Sequence, residues 1–310
     1  MRDRIGRAGA SVRRGAGSLL SPTGLRGAAV EVAWVAAHAA LYPLGVLAER
    51  ARDDNPRDLA KLSPIQRGLL IGDVEAAGTP ILLVHGMVDN RSIFTLLRRG
   101  LRRRGFGRVL TLNYSPLTKD VRIAAEGLAE RVELLCAETG FERIHVIGHS
   151  MGGMIARYYV QRLGGDERVH TLVTLGSPHT GTLAAHLLPH RLARQLRPDS
   201  DVLAELAAPA VGCRTRFLAV WSDLDQMIVP KRAARLEHPD LLARNVLVRG
   251  VGHMSLPINR RAVHEISGTL AHLGAGGETL TPGVTSIESD RPADPPVSPR
   301  SARVRRPASG

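Results

Sequence analysis

A serine flanked by two glycines lies between an apolar segment and a helix-compatible one. The motif Gly-His-Ser-Met-Gly occupies residues 148–152, directly after the apolar run 144–147 and before the stretch 154–163. A strand that enters a helix through so tight a turn leaves no room for β-carbons beside the serine, which explains the glycines. The turn also directs the serine oxygen out above the sheet. The pattern therefore predicts that Ser150 is a nucleophile at a strand-to-helix turn.

A base and an orienting acid are needed as well, because a serine alcohol is a weak nucleophile at neutral pH. The apolar run 216–221 indicates a buried strand, and Asp223 and Asp225 lie in the loop after it. The next strand-like run, 245–248, leads into a glycine-bracketed loop that contains His253. We predict Asp225 as the acid and His253 as the base, with Asp223 as the alternative acid. The order Ser, Asp, His is the one expected of α/β-hydrolases.

Two backbone amides are candidates for stabilising the oxygen that becomes negative during acyl transfer. The strand-like run 80–84 ends in His85-Gly86-Met87, and the amide of Met87 is the first candidate. The amide of Met151, the residue after the nucleophile, is the second. It lies at a helix N-terminus, whose dipole favours negative charge. We predict that these two amides form an oxyanion hole.

Five segments in this order resemble the α/β-hydrolase superfamily, and within it the bacterial lipases and esterases whose oxyanion loop is His-Gly-X. The similarity extends over residues 79–273, and its segments are 84–86, 148–153, 175–182, 222–230 and 252–253. The resemblance implies an α/β fold with a doubly wound, mostly parallel sheet. It also implies carboxylester hydrolysis through an acyl-serine intermediate, without a cofactor, with Ser150, Asp225 and His253 as the triad.

Two other functions are alternatives. An acyltransferase or thioesterase would use the same triad, because the acyl-serine does not dictate whether water or another nucleophile takes the acyl group. A non-catalytic, membrane-tethered binding module is the alternative from another class, and the complete triad argues against it.

Other histidines compete with His253 for the role of base. His145 lies inside a strand, His149 adjoins the nucleophile, and His179 lies in a turn after the following strand. These positions favour structural roles. The histidines have neither H-E-x-x-H nor C-x-x-C spacing, so no metal ion is expected.

The net charge of +13 does not by itself indicate a nucleic-acid partner, since much of the excess arginine lies at the two chain ends. The densest internal cluster, 98–104, lies on a predicted helix whose buried face is marked by Ile93, Leu97 and Leu101. Its arginines are therefore expected on the solvated face. Aromatic residues make up only 3% of the chain and lack an RNA-binding pattern. We expect a small, lipid-like ester as the partner and no nucleic acid.

The only two cysteines, Cys136 and Cys213, leave two alternatives open. A disulfide between them would indicate an oxidising compartment. Without it, they are two small buried hydrophobic side chains.

A single catalytic α/β domain is predicted over residues 55–274, with a cap insert at about 184–212. The insert has leucines among polar residues, and prolines divide it into short helices. It is either a connecting segment packed on the core or a lid whose apolar side faces the acyl chain. A lid would favour medium or long acyl groups.

The two ends of the chain are predicted to lie outside this domain. An apolar helix at 28–48 follows a basic segment at 1–27, and it is long enough to cross a hydrocarbon core of about 30 Å. It is a membrane anchor, a helix packed on the domain, or a cleaved export signal. The predicted localisation is membrane-anchored or extracytoplasmic, with cytoplasmic as the alternative. Residues 275–310, rich in Pro, Ser, Thr and Gly, are predicted to be a disordered tail.

Overall fold

Among the described residues, six parallel strands form a central sheet. The structure, a computed structural model, describes residues 74–87, 91–112, 114, 118, 120–188 and 190–271. The strands are β1 (Ile81–Val84), β2 (Val109–Leu112), β3 (Ile144–His149), β4 (Val169–Leu175), β5 (Arg216–Ser222) and β6 (Leu242–Val248). They pair in the order β2-β1-β3-β4-β5-β6, all parallel. The carboxyl ends of all six strands therefore meet at one edge, where α/β proteins form their sites.

Helices flank the sheet on both sides. They are α1 (Val74–Gly78), α2 (Thr95–Arg102), α3 (Val121–Thr139), α4 (Met151–Arg162), α5 (Arg191–Gln195), α6 (Asp201–Ala207) and α7 (Arg260–Leu270). Short 3-10 turns occur at Arg91–Phe94, Gly165–Glu167, Leu183–His186, Lys231–Ala234 and Leu256–Ile258. The longest helix, α3, begins where the side chain of Asp120 accepts a hydrogen bond from the Arg122 amide, and ends at Gly140, with φ of 74°.

The direction of winding reverses at β1. The chain passes from β1 to β2 at one edge, and β3 then pairs with the other side of β1. Right-handed crossovers place the connections before and after this reversal on opposite faces of the sheet. The prediction of a doubly wound sheet is confirmed, and every strand pair in it is parallel.

Two apolar cores lie on the two faces of the sheet. In β3, Val146 belongs to the first core, with Leu128 of α3 and Ile155 of α4. The next residue, Ile147, belongs to the second core, with Leu97 of α2 and Ile266 of α7. Successive residues of a strand point to opposite faces, and a parallel sheet covered on both sides is apolar at both.

The insert after β4 packs on the first core. Four of its leucines are buried there: Leu192, Leu196, Leu203 and Leu206. Glu205 of α6 accepts hydrogen bonds from Arg122 and from the hydroxyl of Tyr158, the latter at 2.6 Å. By contrast, Leu187 is 84% exposed. The insert is thus seated on the domain here, and its opening as a lid stays a prediction.

The two cysteines do not form a disulfide. Both are free thiols, with Cys136 buried and Cys213 partly buried. Of the two alternatives, the disulfide is therefore wrong.

The predicted segments 1–27, 28–48 and 275–310 lie outside the described residues. Within the ranges that the structure describes, no helix combines the length and the apolar character needed to cross a bilayer. Membrane association through 28–48 stays a prediction.

His145 is a buried histidine in β3 whose two ring nitrogens have no hydrogen-bond partner among the described residues. Its ring lies edge-on to that of His170, with 5.5 Å between the centroids. Burial lowers the pKa of His145, and the neighbouring His170, Arg216 and Arg143 lower it further. The side chain is therefore neutral in the folded protein and cannot act at the opposite, carboxyl edge of the sheet.

We expect His145→Leu to make folding less sensitive to acid. Below pH about 6.5 the unfolded chain binds a proton at His145 that the folded chain does not bind. As the pH is lowered further, the free energy of unfolding decreases by about 1.4 kcal/mol per pH unit because of this one group. Leucine at this position removes the decrease. Urea unfolding at pH 8 and pH 5.5 measures the difference. His264→Leu, at an exposed histidine, is the control. The prediction would be contradicted if the free energy of unfolding decreased equally between pH 8 and pH 5.5 in wild type and His145→Leu.

Candidate active site

Ser150 is held in an unusual backbone conformation between β3 and α4. Its φ is 53° and its ψ −121°, and among the described non-glycine residues it alone has a positive φ. Such a conformation costs free energy and persists only where the surroundings enforce it. Here a β-carbon on Gly148 would overlap the backbone of Gly153, and one on Gly152 would overlap the carbonyl of Val84. The flanking glycines are thus required by backbone packing.

Asp225 and His253 form a buried pair. His253 Nδ1 lies 2.7 Å from Asp225 Oδ2, and both side chains are almost wholly buried. The other carboxylate oxygen of Asp225 accepts hydrogen bonds from the amides of Met227 and Ile228, at 3.0 and 3.1 Å. Burial removes the water that would otherwise hydrogen-bond to the carboxylate. The two amides and His253 Nδ1 replace those hydrogen bonds. The carboxylate is therefore oriented toward His253 from its own loop.

The pair lies at the same edge of the sheet as Ser150. The Ser150 amide donates a hydrogen bond to the carbonyl of Leu175, the last residue of β4, at 2.8 Å. The next residue, Gly176, has a φ of 58°, and a β-carbon there would lie 2.8 Å from Asp225 Oδ2 and 3.0 Å from His253 Nδ1. The serine turn and the carboxylate–imidazole pair thus adjoin the same short segment after β4.

Asp223, the alternative acid, has a different partner. Its Oδ1 accepts a hydrogen bond from the amide of Gly250 at 2.8 Å. This contact joins the loop after β5 to the loop after β6, three residues before His253. Of the two aspartates, Asp225 is thus the one in contact with the His253 ring.

His149 supports the His253 loop. Its Nε2 lies 3.1 Å from the backbone carbonyl of His253, and a carbonyl only accepts, so Nε2 carries the proton. The two rings lie 4.7 Å apart between centroids. His149 is fully buried and holds the main chain of the candidate base, in line with the structural role predicted for it.

His179 also has structural partners. Its Nε2 lies 2.9 Å from Thr174 Oγ1, and its carbonyl accepts a hydrogen bond from Arg157 at 3.0 Å. Burial, followed by the charge of Arg157, lowers the pKa of His179 well below its ordinary value. Burial also lowers the pKa of Arg157 to about 9. Arg157 further bonds the carbonyl of Leu206 at 2.8 Å, so it joins α4, the loop after β4 and α6.

A cavity of about 370 Å³ lies beside this cluster, between the loop after β4, α6 and residues 237–239. Arg157 and His179 form part of its wall, and Leu203 and Ala204 of α6 form another part. Ser150, Asp225 and His253 are not among its lining residues. We therefore assign the cavity no part in the chemistry.

The proposed oxyanion amides belong to two segments that touch. Met151 begins α4 and is fully buried, and Met87 follows β1 and packs against the first core. A β-carbon on Gly152 would overlap the carbonyls of both Val84 and His85. The first turn of α4 therefore lies directly against the end of β1 and the residues His85-Gly86 that follow it (the His-Gly segment). The segments that contain Met87 and Met151 are therefore in contact, and the joint role of their amides stays a prediction.

Sequence reasoning did not identify Tyr114, which contacts the His-Gly segment. Its ring stacks on that of His85, with 4.4 Å between centroids and 14° between planes. Its hydroxyl donates to the carbonyls of Gly86 and His85, at 2.8 and 3.1 Å. The one signal in the sequence is that a tyrosine follows strand β2 closely. Its meaning depends on knowing that β2 pairs with β1, which the sequence does not indicate.

Comparison with known proteins agrees with the fold. The family model for the alpha/beta hydrolase fold matches residues 79–199. Lipase 1 of Psychrobacter immobilis is 25% identical over 235 residues, covering 58% of this chain and 73% of that protein.

Two solved lipases have the same fold. Lipase B of Aspergillus fumigatus has 16% identity and a TM-score of 0.52, covering 63% of this chain and 52% of that one. The propeptide form of lipase BlEst2 of Bacillus licheniformis has 15% identity and a TM-score of 0.53, and the match covers 63% of this chain and 51% of that one. This chain thus spans about half the length of these two proteins.

The comparisons show the fold of this chain and a sequence similarity to a lipase. The protein has the α/β-hydrolase fold. In sequence it is lipase-like, through its similarity to Lipase 1. Both the fold and the resemblance predicted from the sequence are thereby confirmed.

Proposed function

We propose that the protein is a serine carboxylester hydrolase that acts through an acyl-serine intermediate. The similarity to Lipase 1 and the α/β-hydrolase fold support a hydrolase that acts on esters. The observation that most supports the finer assignment is the 2.7 Å contact between Asp225 and His253 at the sheet edge where Ser150 adopts its strained turn. In this proposal Ser150 is the nucleophile, His253 the base and Asp225 the acid.

In the proposed mechanism, His253 Nε2 accepts the proton of Ser150 Oγ while this oxygen attacks the ester carbonyl. The amides of Met87 and Met151 stabilise the negative charge on the carbonyl oxygen. When the C–O bond to the alcohol breaks, the imidazolium returns the proton to the leaving alkoxide. Water, deprotonated in turn by His253, then hydrolyses the acyl-serine and restores the enzyme.

Asp225 supports this cycle because its carboxylate is charged and immobile. An Nδ1 that bonds to a carboxylate must carry the proton, so Nε2 is free of a proton and can act as the base. The two backbone amides on the other oxygen prevent the carboxylate from turning away. When His253 becomes an imidazolium, the buried negative charge beside it stabilises that state.

A lipid-like ester is the substrate that we propose. Apolar side chains are exposed at the start of the insert, where Leu183 is 43% and Leu187 84% exposed. Met227, in the loop after β5 that contains Asp225 (the acid loop), is 42% exposed. These two segments are joined, since the Leu183 amide donates to the carbonyl of Val229 at 2.8 Å. Exposed apolar surface next to the acid loop favours a substrate with an apolar acyl chain.

Fluorophosphonate labelling and a series of p-nitrophenyl esters test the proposed function. We expect the probe to modify wild-type protein and to leave Ser150→Ala unmodified. Among the esters, kcat/KM should rise with acyl length by up to about fourfold per methylene, because burial of one methylene contributes about 0.8 kcal/mol. Labelling without ester turnover would favour an acyltransferase or a thioesterase. Absence of both would favour the non-catalytic module.

A further inference from the structure

We infer that Tyr114 is a positioning residue that aims the Met87 amide into the oxyanion hole. This inference rests on the proposed function, since an oxyanion hole matters only if Ser150 attacks a carbonyl. Its basis is the contact of the Tyr114 hydroxyl with the carbonyl of Gly86, the carbonyl that shares a peptide unit with the Met87 amide.

The strand order brings Tyr114 to this place. Strand β2 pairs with β1 so that Leu112 is opposite Val84. Tyr114 and Gly86 each lie two residues after this last pair, so both follow the ends of neighbouring strands. Tyr114 is half-buried against the first core, and its ring lies flat on the ring of His85. The position of its hydroxyl is thus determined by packing on two sides.

Two donors converge on the Gly86 carbonyl oxygen. The Tyr114 hydroxyl lies 2.8 Å away, and it also lies 3.1 Å from the carbonyl of His85. His85 Nδ1 lies 2.8 Å from the same Gly86 oxygen, and it must carry the proton because a carbonyl only accepts. A carbonyl oxygen has two lone pairs, so these two donors account for its capacity.

The orientation of this carbonyl determines the direction of the Met87 N–H bond. A trans peptide unit is planar, and its N–H bond points opposite to its C=O bond. Holding the Gly86 oxygen on the Tyr114 side therefore directs the Met87 N–H to the other side. Without the hydroxyl, this peptide unit could rotate, and the amide would lose alignment with the developing oxyanion.

Tyr114→Phe tests the inference, because phenylalanine keeps the stacked ring and removes only the hydroxyl. With p-nitrophenyl butyrate we expect kcat to fall by about 10- to 100-fold while KM stays within about threefold. Complete removal of an oxyanion donor costs about 10²- to 10³-fold, and misalignment of one costs less. Loss in kcat and kcat/KM alike is the sign of an interaction made in the transition state.

Inhibition by butaneboronic acid gives a second readout that a general structural defect would not produce. The tetrahedral adduct of a boronic acid with a serine has an oxygen in the position of the oxyanion. The inhibition constant should therefore rise by about the same factor as kcat falls, while KM is unchanged.

The matched control is Tyr158→Phe. The Tyr158 hydroxyl bonds Glu205 of α6 at 2.6 Å, so this variant also loses one hydroxyl that has a protein partner. We expect kcat and boronate affinity equal to those of wild type. If Tyr114→Phe does not fold, His85→Phe removes the other donor to the Gly86 oxygen and keeps an aromatic ring, and it should show the same parallel loss.

The outcomes separate the two claims. If wild-type protein has no esterase activity that depends on Ser150, the proposed function itself is wrong. If wild-type protein is active and Tyr114→Phe matches it in kcat and boronate affinity, the proposed function stands and the inference about Tyr114 is overturned. A loss confined to KM would equally overturn it.

Discussion

Ser150→Ala is expected to lower kcat by about 10⁶-fold, the scale seen when a triad serine is lost, and to leave the fold intact. The reason is that no other described residue at the strained turn can attack an ester carbonyl. Alanine occupies the same backbone position without adding volume. Steady-state turnover of p-nitrophenyl butyrate measures the loss, and circular dichroism with thermal unfolding checks the fold.

Ser177→Ala is the matched control for this loss. Ser177 also follows the end of a central strand and is fully buried, and its hydroxyl has no hydrogen-bond partner among the described residues. We expect activity close to wild type, because the hydroxyl makes no bond that alanine would remove. If Ser150→Ala kept more than a few per cent of wild-type activity in a clean preparation, the nucleophile would have to be another residue.

Asp225→Asn is expected to lower kcat by about 10⁴-fold. Asparagine can still accept the bonds from Met227 and Ile228 through its oxygen, which leaves its amide group facing His253 Nδ1. An amide group donates, so Nδ1 must then be the unprotonated nitrogen, and Nε2 carries the proton. The base is thereby held in the wrong tautomer with little change in shape.

Asp223→Asn separates the two acidic residues of this loop. Its side-chain oxygen can still accept the bond from the Gly250 amide after substitution, so the loop contact is kept. We expect a cost far below that of Asp225→Asn when kcat of the two variants is measured side by side. The reverse ranking would assign the role of acid to Asp223.

The fold was predictable because its signals are local. The central strands β1 and β3 are short, fully buried runs, as expected for a sheet covered on both faces. Strand-like runs of this kind alternate with helix-compatible segments along the chain. The turn at Ser150 has its own signal, since two glycines flank one serine between a strand and a helix. Elements with such patterns need no information from distant parts of the chain.

Contacts between distant residues were not predictable in the same way. The choice between Asp223 and Asp225 as partner of His253 depends on how two loops approach each other. Likewise, Tyr114 is 28 residues from Gly86, and Arg157 is 49 residues from Leu206. Nothing in the sequence around Tyr114 or Arg157 indicates the partner of either side chain.

The sequence by itself determined the strands at 80–84, 144–147, 216–221 and 245–248, the strand-to-helix turn at Ser150 and the loops that contain Asp225 and His253. Period, glycine spacing and apolar runs encode these features within a few residues. Only the tertiary structure decided that Asp225 faces the imidazole, that Asp223 holds Gly250, and that Tyr114 and His85 hold the Gly86 carbonyl. Such contacts follow from the pairing order of the strands and from loop packing at one sheet edge, and these depend on the whole domain.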